Sequence, residues 1–169
     1  MEWFVRAFLR SSVCWLAAGV SLGAAMAVHP VWAIYRPAHL HMNLLGFVSM
    51  MIFGVGYHII PRLAGKPLHS RRLAMVHLWI GNAGLLLFAP GLMLQATAHS
   101  AAPLVIGIGA TLSAAGAYCF AWQVWQTLRE VQVTPMPAPV IAPAAPRVRR
   151  PLRVLDEHTP VTEGASRRP

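Results

Sequence analysis

Four long apolar stretches follow one another through residues 1–129, and short segments containing proline or basic residues separate them. A transmembrane helix needs about 20 consecutive, mostly apolar residues, and each stretch meets that length. The pattern therefore predicts an all-α integral membrane protein, a four-helix bundle. The predicted spans are residues 11–34, 39–63, 73–94 and 103–128.

Basic residues are distributed unevenly around these predicted spans. Arg6 and Arg10 precede the first span, four basic residues lie between the second and third, and Arg129 opens a further arginine-rich stretch. The other two loops contain only Arg36. Since cytoplasmic loops carry an excess of Lys and Arg, we predict that both termini are cytoplasmic in a multi-pass protein of a bacterial-type inner membrane. Alternatively, residues 25–27, Ala-Met-Ala, end a cleaved signal peptide, which leaves the later spans in the same orientation.

Residues 130–169 differ in composition from the rest, with many prolines and arginines and no Phe, Tyr or Trp. A segment of this kind cannot bury enough apolar surface to fold. We therefore predict a transmembrane domain over residues 1–129 and a disordered cytoplasmic tail over residues 130–169. The basic tail is expected to lie on anionic lipid, with a partner-binding motif as the alternative.

The charged residues exclude several kinds of chemistry from the predicted bundle. The chain is 56% hydrophobic and 11% charged, and no Asp or Glu occurs between Glu2 and Glu130. Paired-carboxylate hydrolysis, carboxylate proton relays and carboxylate-rich metal cages are therefore excluded there. The net charge of +9 comes from basic residues beside apolar runs. We accordingly expect membrane lipid, and no nucleic acid, as the partner of this charge.

Histidine is the residue type best suited to a reactive site in such a bundle. An ionisable side chain inside a span is costly and by default marks a functional site, and neutral imidazole can ligate iron, copper or zinc. His41, in the second predicted span, is the first candidate ligand, and His29 and His39 are further candidates. His39 and His41 are two positions apart, so on a regular helix they do not share a face. His69 and His99, in loops, are predicted to be solvated.

Two further histidines lie at the other membrane depth. His58 is roughly 25 Å along a helix from His41, so the two cannot serve one metal in one subunit. His58 and His77 flank the same predicted cytoplasmic loop. We predict that Tyr57, His58 and Trp79 form an interfacial aromatic belt, with a pairing of His58 and His77 across the hairpin as the alternative.

Residues 36–90 resemble the second helix, and the start of the third, of subunit I of the heme-copper oxidases. The opening of the second span is closest to the nitric oxide reductase branch, and its Pro-xxx-Gly-x-Pro ending is closer to the oxygen reductases, which include cytochrome c oxidase. The similar positions are His41-Met-Asn43-Leu-Leu, Gly54, Gly56, Tyr57, Pro61, Gly65-Lys-Pro67, Arg72-Leu, Trp79, Gly81 and Gly84.

The resemblance implies that His41 is an axial ligand of a low-spin, b-type haem near the outer face. His29, His39 or His41 of a second copy would supply the second ligand, and Arg36 would pair with the haem propionates. The family's copper site and high-spin haem use later helices that this chain does not contain. By itself it is therefore not expected to be a complete terminal oxidase, but to act in electron transfer or as an accessory of a respiratory complex.

Three alternatives remain open from the sequence. One is a two-haem conductor with His29 and His41 outside and His58 and His77 inside. Another is a copper-binding or copper-handling protein that uses His29, His39, His41 and the neighbouring Met42. The third is a haem-free helper subunit that stabilises a larger complex.

Overall fold

A computed structural model describes residues 1–129, which form four long helices joined by short connections. All four are long and apolar enough to cross a membrane, which confirms the predicted all-α class and the presence of four helices of that kind among these residues. The predicted tail, residues 130–169, lies outside the described residues. The helices are α1 (Trp3–Val28), α2 (Pro30–Leu63), α3 (Arg71–Ala96) and α4 (Ala102–Arg129).

The first helix differs most from its predicted bounds. It begins at Trp3, so that Arg6 and Arg10 lie within it, and it ends at Val28 where residues 11–34 were predicted. The helix stops there because Pro30 disfavours helical geometry at the residue before it. His29 forms the cap, and its backbone N–H donates to the carbonyl oxygen of Ala25 at 2.8 Å.

The second helix is a composite of four segments. A 3₁₀ turn, Pro30–Tyr35, leads into a short α-helical segment, Arg36–His41. A π-helical segment, Met42–Ser49, follows, and α-helix resumes over Met50–Leu63. π-Helical turns are rare and frequently mark functional sites. His41 immediately precedes the π-helical segment of α2.

Helices α3 and α4 approach closely along a line of small residues. A Cβ atom on Gly84 would lie 2.6 Å from the backbone nitrogen of Ser113, and one on Gly109 would lie 2.5 Å from that of Phe88. Such small-residue contacts let transmembrane helices pack through their backbones. Among the three glycines of α4, Gly107 faces open space, whereas Gly109 and Gly116 face neighbouring atoms.

Hydrogen bonds from polar side chains link α3 to α1 and link α4 to the loop before α3. Asn82 of α3 accepts hydrogen bonds from the hydroxyl of Ser11 and, at 3.3 Å, from the indole N–H of Trp15, both on α1. Gln123 of α4 is fully buried and holds the loop before α3. Its Oε1 accepts from the backbone N–H of Ser70 at 2.9 Å, and its Nε2 donates to the Ser70 carbonyl at 2.6 Å.

Gly109→Ala should destabilise the bundle, because the new methyl group meets backbone atoms that cannot move aside. Overpacking of this kind costs about 1–3 kcal/mol. Gly107→Ala is the matched control on the same helix and should leave the thermal unfolding temperature unchanged or raise it, since alanine favours helix over glycine by roughly 1 kcal/mol. Equal unfolding temperatures for the two variants in detergent would contradict the close contact between α3 and α4.

Candidate functional site

His41 is held by its own helix, with one ring nitrogen bonded and the other available. Its Nδ1 lies 2.8 Å from the carbonyl oxygen of Pro37, one helical turn earlier. Because a carbonyl only accepts, Nδ1 carries the proton and Nε2 keeps its lone pair. Phe88 of α3 stands edge-on to the ring at 4.7 Å between centroids. The side chain is half-buried. This arrangement orients a histidine for coordination through Nε2.

His39 points to a different helix. Its Nδ1 lies 2.8 Å from the carbonyl oxygen of Gly19 in α1, and a Cβ on Gly23 would lie 2.7 Å from the His39 Cε1 atom. Asn43 donates to the His39 backbone carbonyl at 2.9 Å. The prediction that His39 and His41 do not share a face is therefore confirmed: His39 joins α2 to α1, whereas His41 faces α3.

The remaining candidate cofactor-binding residues, His29 and Arg36, are exposed. His29 follows the end of α1, and its ring lies 5.6 Å from that of Trp32. Arg36 is exposed at the start of the α-helical segment of α2. Within residues 1–129, no group of three or more His, Cys, Asp or Glu side chains is placed to hold a metal ion. The structure thus does not bring His29, His39 and His41 together as one metal cluster.

A buried tyrosine–histidine pair occupies the other half of the bundle. The Tyr57 hydroxyl of α2 lies 2.8 Å from Nδ1 of His77 in α3, and their exposed fractions are 4% and 0%. Three phenylalanine rings surround His77, with centroid distances of 4.9 Å to Phe8, 4.6 Å to Phe53 and 6.2 Å to Phe120. The pair links all four helices through one hydrogen bond and a set of aromatic contacts.

The belt prediction is wrong for Tyr57, because its side chain is inside the bundle. Trp79 is 67% exposed, as a belt residue should be, and His58 is half-buried. Sequence reasoning missed the Tyr57–His77 pair, although a signal was present. A histidine deep in a span must find a polar partner, and His77 lies one turn before Gly81, where the neighbouring helix comes close enough to enclose it.

The four apolar helices are those of a multi-pass membrane protein. His41, whose Nε2 is free, is its candidate ligand residue. Residues 4–144 match the family model described as Cytochrome C and Quinol oxidase polypeptide I. The chain therefore belongs to the heme-copper oxidase subunit I family, which confirms the resemblance seen in the sequence. This family binds haem and copper.

Individual relatives match only in part. The Cbb3-type cytochrome c oxidase subunit CcoN1 of Stutzerimonas stutzeri is 28% identical over 98 residues, with coverage of 54% of this chain and 21% of the relative. Cytochrome c oxidase subunit 1 of Rhodobacter capsulatus is 28% identical over 122 residues, with coverage of 57% and 22%. A Thermus thermophilus Cytochrome c oxidase subunit 1 is 33% identical over 58 residues, with coverage of 33% and 54%. The chain thus spans about a fifth of the length of the first two relatives.

Tyr57→Phe should lower the stability of the bundle, because it leaves the buried Nδ1 of His77 without its partner. An unsatisfied buried polar group costs about 1–3 kcal/mol. Tyr118→Phe removes the same hydroxyl from a side chain that is 76% exposed, and it is the control. Thermal unfolding in detergent measures both. A Tyr57→Phe protein as stable as Tyr118→Phe would show that the buried hydrogen bond contributes nothing.

Proposed function

We propose that this subunit I-related membrane protein binds a single b-type haem through His41 and acts in electron transfer or as an accessory of a respiratory complex. The observation that carries the proposal is the state of the His41 ring. Its Nδ1 is bonded to the Pro37 carbonyl, so that Nε2 is free to coordinate iron. A bound haem would supply reversible one-electron chemistry.

The surroundings of His41 fit such a group in chemical character. Phe88 covers one edge of the imidazole, and the π-helical turn that follows His41 widens the helix there. In the turns beyond Phe88, an apolar cavity of about 530 Å³ lies between α1, the 3₁₀ turn and α3. Sites for ligands of drug size measure roughly 300–1,000 Å³. The cavity is lined by Leu22, Trp32, Tyr35, Pro90, Met93, Leu94 and Thr97.

The second axial ligand has two sources in this proposal. His29 is exposed beside Trp32, and His41 of a second copy could approach from outside because the side chain is half-buried. His39 is the weaker choice, because its ring is engaged with α1. Arg36, exposed one turn before His39, is the candidate partner of the haem propionates, which a guanidinium can bind in bidentate fashion.

The protein's own contribution is positioning and exclusion of water. The Pro37 carbonyl fixes the tautomer and orientation of His41, and a hydrogen bond of this kind to the other ring nitrogen strengthens ligand basicity. Apolar side chains of α1 and α3 line the neighbouring cavity, and an apolar environment is one of the means by which a protein tunes a haem potential.

A dithionite-reduced minus oxidised spectrum of the purified full chain should show b-type bands that are lost in His41→Ala. His99→Ala, which alters an exposed loop histidine, should leave the bands at full intensity. Pyridine haemochrome quantification separates the two ligand schemes. One haem per chain, lost in His29→Ala, indicates His29; one haem per two chains indicates His41 from both copies.

The same sample distinguishes the other functions. Copper without haem would replace the proposal by a copper-handling role. A folded, colourless protein after supply of haem would leave the role of a structural helper subunit in a larger complex.

We further propose that both termini face the cytoplasm of a bacterial-type cell, with the protein in its inner membrane. The basic residues within and beside the connection between α2 and α3 support this orientation: Arg62, Lys66, Arg71 and Arg72. An alkaline phosphatase fusion in the loop at His99 should therefore be active, and one at Lys66 inactive. The reverse pattern would invert the orientation and place His41 at the cytoplasmic face.

A further inference from the structure

A small cavity lies on the side of His77 that faces away from Tyr57. It measures about 70 Å³ and lies between α2, α3 and α4. The lining includes Ser49 and Phe53 of α2, His77 and Gly81 of α3, and Ser113 of α4. This small cavity is separate from the larger apolar cavity near Trp32. The proposed haem site does not use the small cavity.

Two of the residues that line this cavity each carry a buried polar atom without a protein partner. Among residues 1–129, no protein group forms a hydrogen bond with Nε2 of His77 or with Oγ of Ser113. His77 is 0% exposed, and its other nitrogen is already bonded to Tyr57. Burial without a partner is costly for a ring nitrogen and for a hydroxyl. Two such atoms on residues that line one cavity point to a shared hydrogen-bonding ligand.

The size and charge of the surroundings define the class of that ligand. A water molecule occupies about 30 Å³ in the liquid, so the cavity has room for roughly two. No carboxylate occurs between Glu2 and Glu130 to balance a cation, and three phenylalanine rings surround His77. One imidazole and one hydroxyl are also too few to hold a metal ion against these costs. The ligand must be small, uncharged and able to form hydrogen bonds.

We propose that this cavity is a binding site for ordered water, which bridges His77 Nε2 and Ser113 Oγ. The hydroxyl of Ser49 offers a third partner, because it donates to the Leu44 carbonyl at 2.9 Å and keeps its acceptor lone pairs. Buried water typically makes about three hydrogen bonds, which these groups supply. The bridge adds a polar link between α3 and α4 where they otherwise meet through glycines.

A double-mutant cycle of His77→Phe and Ser113→Ala tests the bridge. Each single variant should lower the thermal unfolding temperature, and the double variant should be little worse than His77→Phe alone, because the water has already lost one anchor. The Tyr57–His77 hydrogen bond is lost in both variants that carry His77→Phe, so its loss cancels in the coupling energy of the cycle. Thr111→Ala, which removes an exposed hydroxyl from the same helix, should be additive with His77→Phe. Additive losses for His77→Phe and Ser113→Ala would overturn the bridge.

A direct measurement uses the full chain in lipid, labelled with ¹⁵N-histidine. Magnetisation transfer from water should reach His77 Nε2, whose resonance is assigned by its loss in His77→Phe or, if that variant does not fold, in His77→Gln. The Nε2 resonance should shift in Ser113→Ala, a readout that remains if His77→Phe fails to fold. Exposed His99 provides the positive control for water transfer. Transfer to His99 but none to His77, or a Ser113 hydroxyl bonded to the Gly109 carbonyl, would overturn the proposal.

Discussion

The structure depends on one constraint: polar groups inside the bundle must be satisfied without any carboxylate. Between Glu2 and Glu130 the chain offers neutral partners and a few cations near the helix ends. Several of these neutral bonds connect different elements. Tyr57 meets His77, His39 meets Gly19, and Asn82 meets α1. Each bond satisfies a polar group that lipid cannot solvate, so that it also sets which helices are neighbours.

His41 differs from His39 and His77 in this respect. Its hydrogen bond returns to Pro37 on its own helix, and its contact with α3 is the edge-on packing of Phe88. The hydrogen bond therefore fixes no neighbouring helix and leaves Nε2 free, and coordination is a chemistry that an imidazole in this state offers. The contrast among three histidines of one bundle supports the choice of His41 as ligand more strongly than its depth does.

Much of the fold could be predicted from the sequence, because hydrophobic length alone defines spans. Apolar length predicts that each helix exists. It does not predict the start of α1, because Arg6 and Arg10 resemble basic residues that flank a span, although they lie within α1 on its exposed side. The site was predicted less well. The directions of His39 and His41 followed from helical spacing, but the pairing of Tyr57 with His77 depends on the approach of α3 to α2, which periodicity within one helix does not encode.

The two ends of the bundle differ in what they can hold, and this bears on the number of haems. His77 has one nitrogen bonded to Tyr57, and the other faces a cavity of about 70 Å³, far below the roughly 300 Å³ at which sites for larger ligands begin. The half of the bundle around His77 is therefore closed to a macrocycle unless its aromatic core opens. A two-haem conductor requires that opening, whereas a single haem at His41 does not use this half of the bundle. In the proposed function the haem thus belongs to the half that contains His41, and the half around His77 serves as the scaffold.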